Sequence, residues 1–133
     1  AVRCMQQALD QAGLKTVDYI NTHGTSTPLG DITELNAIAK VFNTENAIPP
    51  ISSTKSMTGH SLGAVGAQEL IYCLLMLKEN FIAPSINIET LDIGARDFDI
   101  VTQKRDGKLD TIMSNSFGFG GTNASLIIKR FDA

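Results

Sequence analysis

The 133-residue sequence has no tryptophan, two cysteines and an aromatic content of 6%. Two cysteines, at positions 4 and 73, make neither a disulfide scaffold nor a Cys-type zinc site. They read as reduced thiols of a cytoplasmic protein. Cys73 lies between Tyr72 and Leu74 in an apolar stretch, where burial raises a thiol pKa. Cys4 has only Arg3 as a basic neighbour. Neither is a good nucleophile. Positive charge is not in excess: 11 Lys and Arg stand against 14 Asp and Glu, a net charge of −3. That argues against nucleic acid as a partner. The longest near-apolar stretch, 62–77, is interrupted by Gln68 and Glu69. It falls short of the roughly 18–20 apolar residues that cross a bilayer, so no membrane association is expected. The opening Ala1-Val2-Arg3-Cys4 has neither an initiator methionine nor the apolar core of a signal peptide. It reads as the body of a helix, which suggests a piece of a longer polypeptide. There is no internal repeat, no low-complexity segment and no expected metal site.

What is present is a packable core. Hydrophobic residues make up 43% and charged residues 19% of a 14.3 kDa chain, enough for one domain over 1–133. Val2, Met5, Leu9 and Ala12 have helical spacing, and Gly13 is a natural stop. Residues 17–21 read as a short buried strand. Asp31 and Glu34 have the spacing of a capping box at the start of a second helix, with Leu35, Ile38, Ala39 and Phe42 on one face. Residues 43–50 read as a turn-rich connector and 51–53 as a short strand. A third helix ends near Asn80. It is apolar almost all round, which predicts burial on every side. From Ala83 to about Asp110 the chain reads as irregular, with a strand at 98–101. Residues 111–116 and 124–130 read as two strands of a hairpin joined by a glycine-rich loop. Interleaved helices and strands predict an α/β fold with a mixed β-sheet flanked by helices.

Both histidines lie in polar loops between a strand and a helix. His23 is in Thr-His-Gly-Thr-Ser-Thr-Pro-Leu-Gly-Asp, and His60 is in Lys-Ser-Met-Thr-Gly-His-Ser-Leu-Gly-Ala. Loops at the carboxyl ends of strands are where open α/β sheets bind ligands. The positive end of a helix dipole disfavours imidazolium and favours a neutral, hydrogen-bond-donating ring. The alternative for each histidine is an ordinary loop residue or a local cap, and finding two in matching contexts weighs against it. Gly59-His60-Ser61-Leu62-Gly63 spells the G-x-S-x-G elbow of serine hydrolases. No histidine follows residue 60 and no strand precedes Ser61, so the elbow is rejected. Glu69 is a carboxylate on an apolar helix. It needs a partner, for which Lys55 is best placed, or it faces a wet edge. Phenylalanine between the glycines at 118, 120 and 121 argues for a tightly turned or mobile backbone beside an apolar ligand, rather than a phosphate nest.

Three segments together, 23–31, 53–64 and Asn-Ser-Phe-Gly-Phe-Gly-Gly-Thr-Asn at 115–123, resemble the C-terminal half of a β-ketoacyl-acyl-carrier-protein synthase. The resemblance covers essentially the whole chain. Residues 71–77 and 81–88 look more like the synthase I branch than synthase II. It implies a thiolase-like fold, of which this would be one half of an αβαβα five-layer stack. It also implies fatty acid elongation by decarboxylative Claisen condensation of an acyl thioester with malonyl-acyl carrier protein. By resemblance, His23 and His60 match the two histidines of a Cys-His-His triad, and Lys55 and Glu69 match a paired lysine and glutamate. Thr25 and Thr27 match hydroxyls that hold the carrier's pantetheine arm. Phe117 and Phe119 match gating phenylalanines, and the Phe119 N–H matches an oxyanion-hole donor. The implied partners are acyl carrier protein, acyl and malonyl thioesters, and a second copy in a homodimer. No cofactor is implied beyond the carrier's own pantetheine. The nucleophilic cysteine has no counterpart here, so the chain alone is expected to be inactive. The alternatives are synthase II and a non-catalytic carrier-binding subunit.

Overall fold

A computed structural model of the chain describes residues 1–42 and 48–131. Helix α1 (Val2–Ala12) ends at Gly13, whose φ of 66° is the left-handed conformation of a helix C-cap. Strand β1 (Tyr19–Asn21) follows, then α2 (Gly30–Phe42), β2 (Ile51–Ser52), the single-turn α3 (Lys55–Thr58) and α4 (Val65–Glu79). Two ribbon strands, β3 (Phe81–Ile82) and β4 (Arg105–Asp106), precede the hairpin of β5 (Thr111–Phe117) and β6 (Asn123–Lys129).

The main sheet has the order β2-β1-β5-β6. β1 runs parallel to β2 and to β5, while β5 and β6 are antiparallel. The mixed sheet is the one expected. Alternation along its central strands sets the layers. Ile20 and Met113 face α1 and α2, in a core with Met5, Leu9, Ile38 and Phe42. Tyr19 and Ile112 point the other way, into a core with Cys73, Met76 and Leu77 of α4. The result is helix, sheet, helix. Each fully buried large apolar side chain contributes about 1.5–3 kcal/mol, which two faces of β1 and β5 supply together.

The same alternation governs the polar residues at the strands' carboxyl ends. Asn21 and Asn115 are fully buried, and Ser114 nearly so. By register Asn21 and Ser114 continue the α4 face, and Asn115 continues the α1/α2 face. The sheet therefore changes from apolar to polar at one end.

Several expectations need correction. α4 is not buried all round: Ile71, Leu74 and Leu75 are 54%, 46% and 49% exposed. Only its Val65, Glu69, Cys73, Met76 and Leu77 side is covered. The expected capping box does not form. α2 starts at Gly30, Asp31 accepts the backbone N–H of Ser26 at 3.0 Å, and Glu34 turns inward instead. Ala37 and Val41, rather than Ala39, complete the buried face of α2. The first strand is shorter than 17–21, although Val17 is buried in the core. No strand forms over 98–101; a single parallel bridge joins Ile100 to Ile51. The connector expected at 43–50 lies outside the described residues up to 47, and 48–50 forms no regular element. The ribbon of β3 and β4 and the turn α3 have no clear sequence signal, being two to four residues each.

Candidate active site

The carboxyl end of β1 lies between two buried carboxylates. Glu34 comes from α2 and is 5% exposed; Glu69 comes from α4 and is fully buried. The loop carrying His23 is built on Glu34. Its Oε1 accepts the N–H of His23 and its Oε2 that of Gly24, each at 3.0 Å. Ser53 Oγ donates to the Gly24 carbonyl at 2.7 Å from the other side. Gly24 has a φ of 29°, and a Cβ there would lie 2.8 Å from both Ser53 Cβ and Thr22 Oγ1. Glycine is required by this close approach. Burial pushes the Glu34 carboxyl above the ordinary carboxylate range, and the two amide donors oppose that rise.

His60 follows Gly59, whose φ of 72° turns the chain out of α3. The backbone N–H of Leu62 donates to His60 Nδ1 at 3.0 Å. An amide can only donate, so Nδ1 holds a lone pair, and in the neutral ring the proton is on Nε2. The rings of His23 and His60 meet edge to face, with centroids 5.3 Å apart and planes at 88°. Burial lowers the His23 pKa to about 4, with Lys55 and then His60 adding to the shift. His23 is therefore neutral at ordinary pH. Its Nδ1 is buried with no hydrogen-bond partner.

Lys55 and Glu69 form the expected pair: Nζ and Oε1 are 2.5 Å apart, with side chains 4% and 0% exposed. The wet-edge alternative for Glu69 is thereby excluded. Burial raises the Glu69 carboxyl pKa, and Lys55 pulls it back. Thr54 Oγ1 lies 3.4 Å from Glu69 Oε1 and the same distance from Asn21 Oδ1. Glu69 Oε2 is buried without a hydrogen-bond partner.

The remaining candidates divide. Phe117 reaches the site, its ring centroid 6.3 Å from that of His23. Phe119 does not; its side chain is fully exposed on the loop before β6. Thr25 Oγ1 and Thr27 Oγ1 are 3.5 Å apart, and Thr27 Oγ1 accepts the N–H of Gly30. A cavity of about 600 Å³ opens beside Gly24 and Thr27, between α2 and residues 85–100, but neither histidine lines it. Ser61 donates to Gln68 Oε1 at 2.5 Å, while His60 Nδ1 is taken by Leu62. Among the described residues no serine–histidine pair is seen, in keeping with rejection of the elbow. Cys73 is buried, its pKa pushed up to about 12 by desolvation. Among the described residues, no group of three His, Cys, Asp or Glu side chains could hold a metal ion, and no helix is long and apolar enough to cross a membrane.

Sequence reading missed Glu34, Asn21 and Asn115. For Glu34 a signal existed: it shares its helix face with Ile38, Val41 and Phe42, where an ionisable group is out of place. The asparagines gave none, because a polar residue ending a strand usually marks a turn.

Two imidazoles meet in the loops after β1 and α3, close to a buried lysine–glutamate pair on an α/β scaffold. Residues 1–89 match the model of the beta-ketoacyl synthase C-terminal domain, and the chain belongs to that family. It is 63% identical over 99% of its length to 3-oxoacyl-(acyl-carrier-protein) synthase 1 of Haemophilus influenzae, covering 32% of that protein. To the synthase 1 of Escherichia coli it is 60% identical over 98% of its length, covering 31%. The fold is similar to a solved type II PKS acyl-carrier protein in complex with its ketosynthase bound to the hexaketide. The TM-score is 0.91 at 36% identity, over 98% of this chain and 33% of that one. The chain thus spans about a third of the length of the curated relatives it matches. The fold is the thiolase-like one expected, in its C-terminal part.

Proposed function

We propose that this chain is the C-terminal, histidine-bearing part of a 3-oxoacyl-acyl-carrier-protein synthase of the synthase I type. Its reaction is fatty acid elongation. An acyl group is loaded onto a cysteine thiolate elsewhere in the longer protein. Malonyl-carrier protein then loses carbon dioxide: the bond to the carboxylate breaks, and its electrons pass through the α-carbon into the thioester carbonyl. The enolate carbon attacks the acyl thioester and expels the thiolate.

In this reading His23 and His60 act where the enolate charge develops. Each offers an N–H to the thioester oxygen, and such preorganised donors are worth about 10²–10³ in rate per donor. The observation that carries the reading is the meeting of the two rings, with His60 Nε2–H left as a donor by the bond from Leu62. Lys55 and Glu69 hold the local charge in place under them. Thr25 and Thr27 are assigned to the pantetheine arm of the carrier protein, Phe117 and Phe119 to gating the acyl entrance, and the Phe119 N–H to the oxyanion hole of the acyl-enzyme. The exposure of Phe119 is consistent with a gate that moves. Acyl carrier protein is the proposed protein partner, with acyl and malonyl thioesters as substrates. The full-length protein is proposed to be a cytoplasmic homodimer.

Neither Cys4 nor Cys73 can replace the nucleophile, since Cys73 is a buried, un-ionised thiol. The isolated chain is therefore inactive in condensation. The test is the conversion of acyl- and malonyl-carrier protein by the full-length protein. Formation of 3-oxoacyl product, abolished in His23→Ala, supports the reading; unchanged turnover in His23→Ala defeats it.

A further inference from the structure

Asn115 is fully buried in the middle of the sheet, and one of its side-chain contacts leads, through Glu34, toward the His23 loop. Its Nδ2 has two acceptors within reach, Glu34 Oε1 at 3.3 Å and Met5 Sδ at 3.4 Å. The first is useful to the site and the second is not. The other end of the amide is held separately. Ser125, directly opposite on β6, donates its hydroxyl to Asn115 Oδ1 at 2.8 Å.

We infer that Ser125 is a positioning residue for His23, acting through Asn115 and Glu34. The chain is Ser125 Oγ–H to Asn115 Oδ1, Asn115 Nδ2–H to Glu34 Oε1, and Glu34 to the N–H groups of His23 and Gly24. The Ser125 hydroxyl satisfies the buried Oδ1 acceptor while Nδ2 faces the carboxylate, and it polarises the amide toward stronger donation. Without it, Asn115 Oδ1 is a buried acceptor with no partner. The amide then relaxes toward Met5, and Glu34 is left with only the two loop amides to set its position. The hairpin of β5 and β6 is thereby tied to the loop after β1, 81 residues away in sequence from Asn115 to Glu34.

This inference rests on the functional reading above. The test separates decarboxylation of malonyl-carrier protein, which uses the histidines, from acyl transfer to the nucleophile, in the full-length protein. Ser125→Ala is expected to lower kcat for decarboxylation about five- to tenfold, the cost of one polarised hydrogen bond. KM and the rate of acyl transfer are expected to stay within about twofold. Ser125→Thr, which keeps the hydroxyl, is expected to restore decarboxylation. If Ser125→Ala folds poorly, Ser125→Cys, a weaker donor of similar size, is scored on the same two steps. Decarboxylation unchanged in Ser125→Ala, both steps falling together, or no rescue by threonine would each overturn the inference while leaving the function standing. Failure of the unsubstituted protein to decarboxylate malonyl-carrier protein would overturn both.

Discussion

The backbone N–H of Leu62 donates to Nδ1 of His60 two residues earlier, at 3.0 Å. This contact decides the chemistry of the ring, because it leaves Nε2 as the nitrogen that carries the proton. Leu62 reaches it by adopting a φ of 54°, an uncommon conformation for a leucine. A conformation of this kind costs about 1–2 kcal/mol and persists where the surrounding fold holds it. The tautomer is directly measurable. Long-range proton–nitrogen correlation on labelled protein is expected to show Nδ1 unprotonated and Nε2 protonated in the neutral ring. The reverse tautomer would remove the donor assigned to His60.

His23 gives the pH dependence. Its pKa in the folded protein is about 4, below the ordinary histidine value of 6.5. A lowered pKa means that protons bind the unfolded chain more readily. The stability from this group is therefore complete above about pH 6.5, and it is lost as the pH falls through 4. NMR titration of the His23 ring protons is expected to show a midpoint near 4. A midpoint between 6 and 7 would mean that burial and Lys55 do not act on the ring as described.

Lys55 and Glu69 provide a stability test. Removing one partner leaves a buried charge alone, which costs about 3–5 kcal/mol, whereas replacing both by apolar groups is far milder. In urea titration of the full-length protein, Lys55→Met is expected to lower the midpoint strongly. Lys55→Met combined with Glu69→Leu is expected to recover most of the loss while leaving the site chemically impaired. Equal damage in the single and double variants would contradict the buried pair.

Glu34→Gln changes one oxygen to an NH₂ group without changing volume. The amide can accept from His23 N–H or from Gly24 N–H, and its nitrogen must oppose the other. About 1–3 kcal/mol of stability is expected to be lost by the unsatisfied buried donor. Decarboxylation by the full-length protein is expected to fall about tenfold or more, as His23 loses its anchor. Denaturant melts and malonyl-carrier-protein decarboxylation measure the two effects separately.

Ser61→Ala examines the discarded hydrolase spelling. The Ser61 hydroxyl donates to Gln68 on an exposed surface. In the full-length protein, activity is expected to be retained and stability to change by no more than about 0.5 kcal/mol. A loss of turnover comparable to that of a histidine variant would reopen the question.

The sequence by itself determined the mixed α/β class, the three long helices and the hairpin, and it singled out His23, His60, Lys55 and Glu69 as candidates. These are carried by local signals: apolar periodicity in Val2–Ala12, glycine at the end of α1, and three polar, glycine-bearing loops in a fixed order. Tertiary structure alone decided which of those groups meet and what state they hold. The edge-to-face contact of the two rings, the inward turn of Glu34 away from a capping box, and the asparagines of β1 and β5 all depend on residues tens of positions apart. The sequence reads Ile71, Leu74 and Leu75 as buried and the structure exposes them, since helical periodicity reports which residues are apolar but not what covers them. Burial and proton position are sums over every neighbour in space, and a linear pattern carries only the neighbours along the chain.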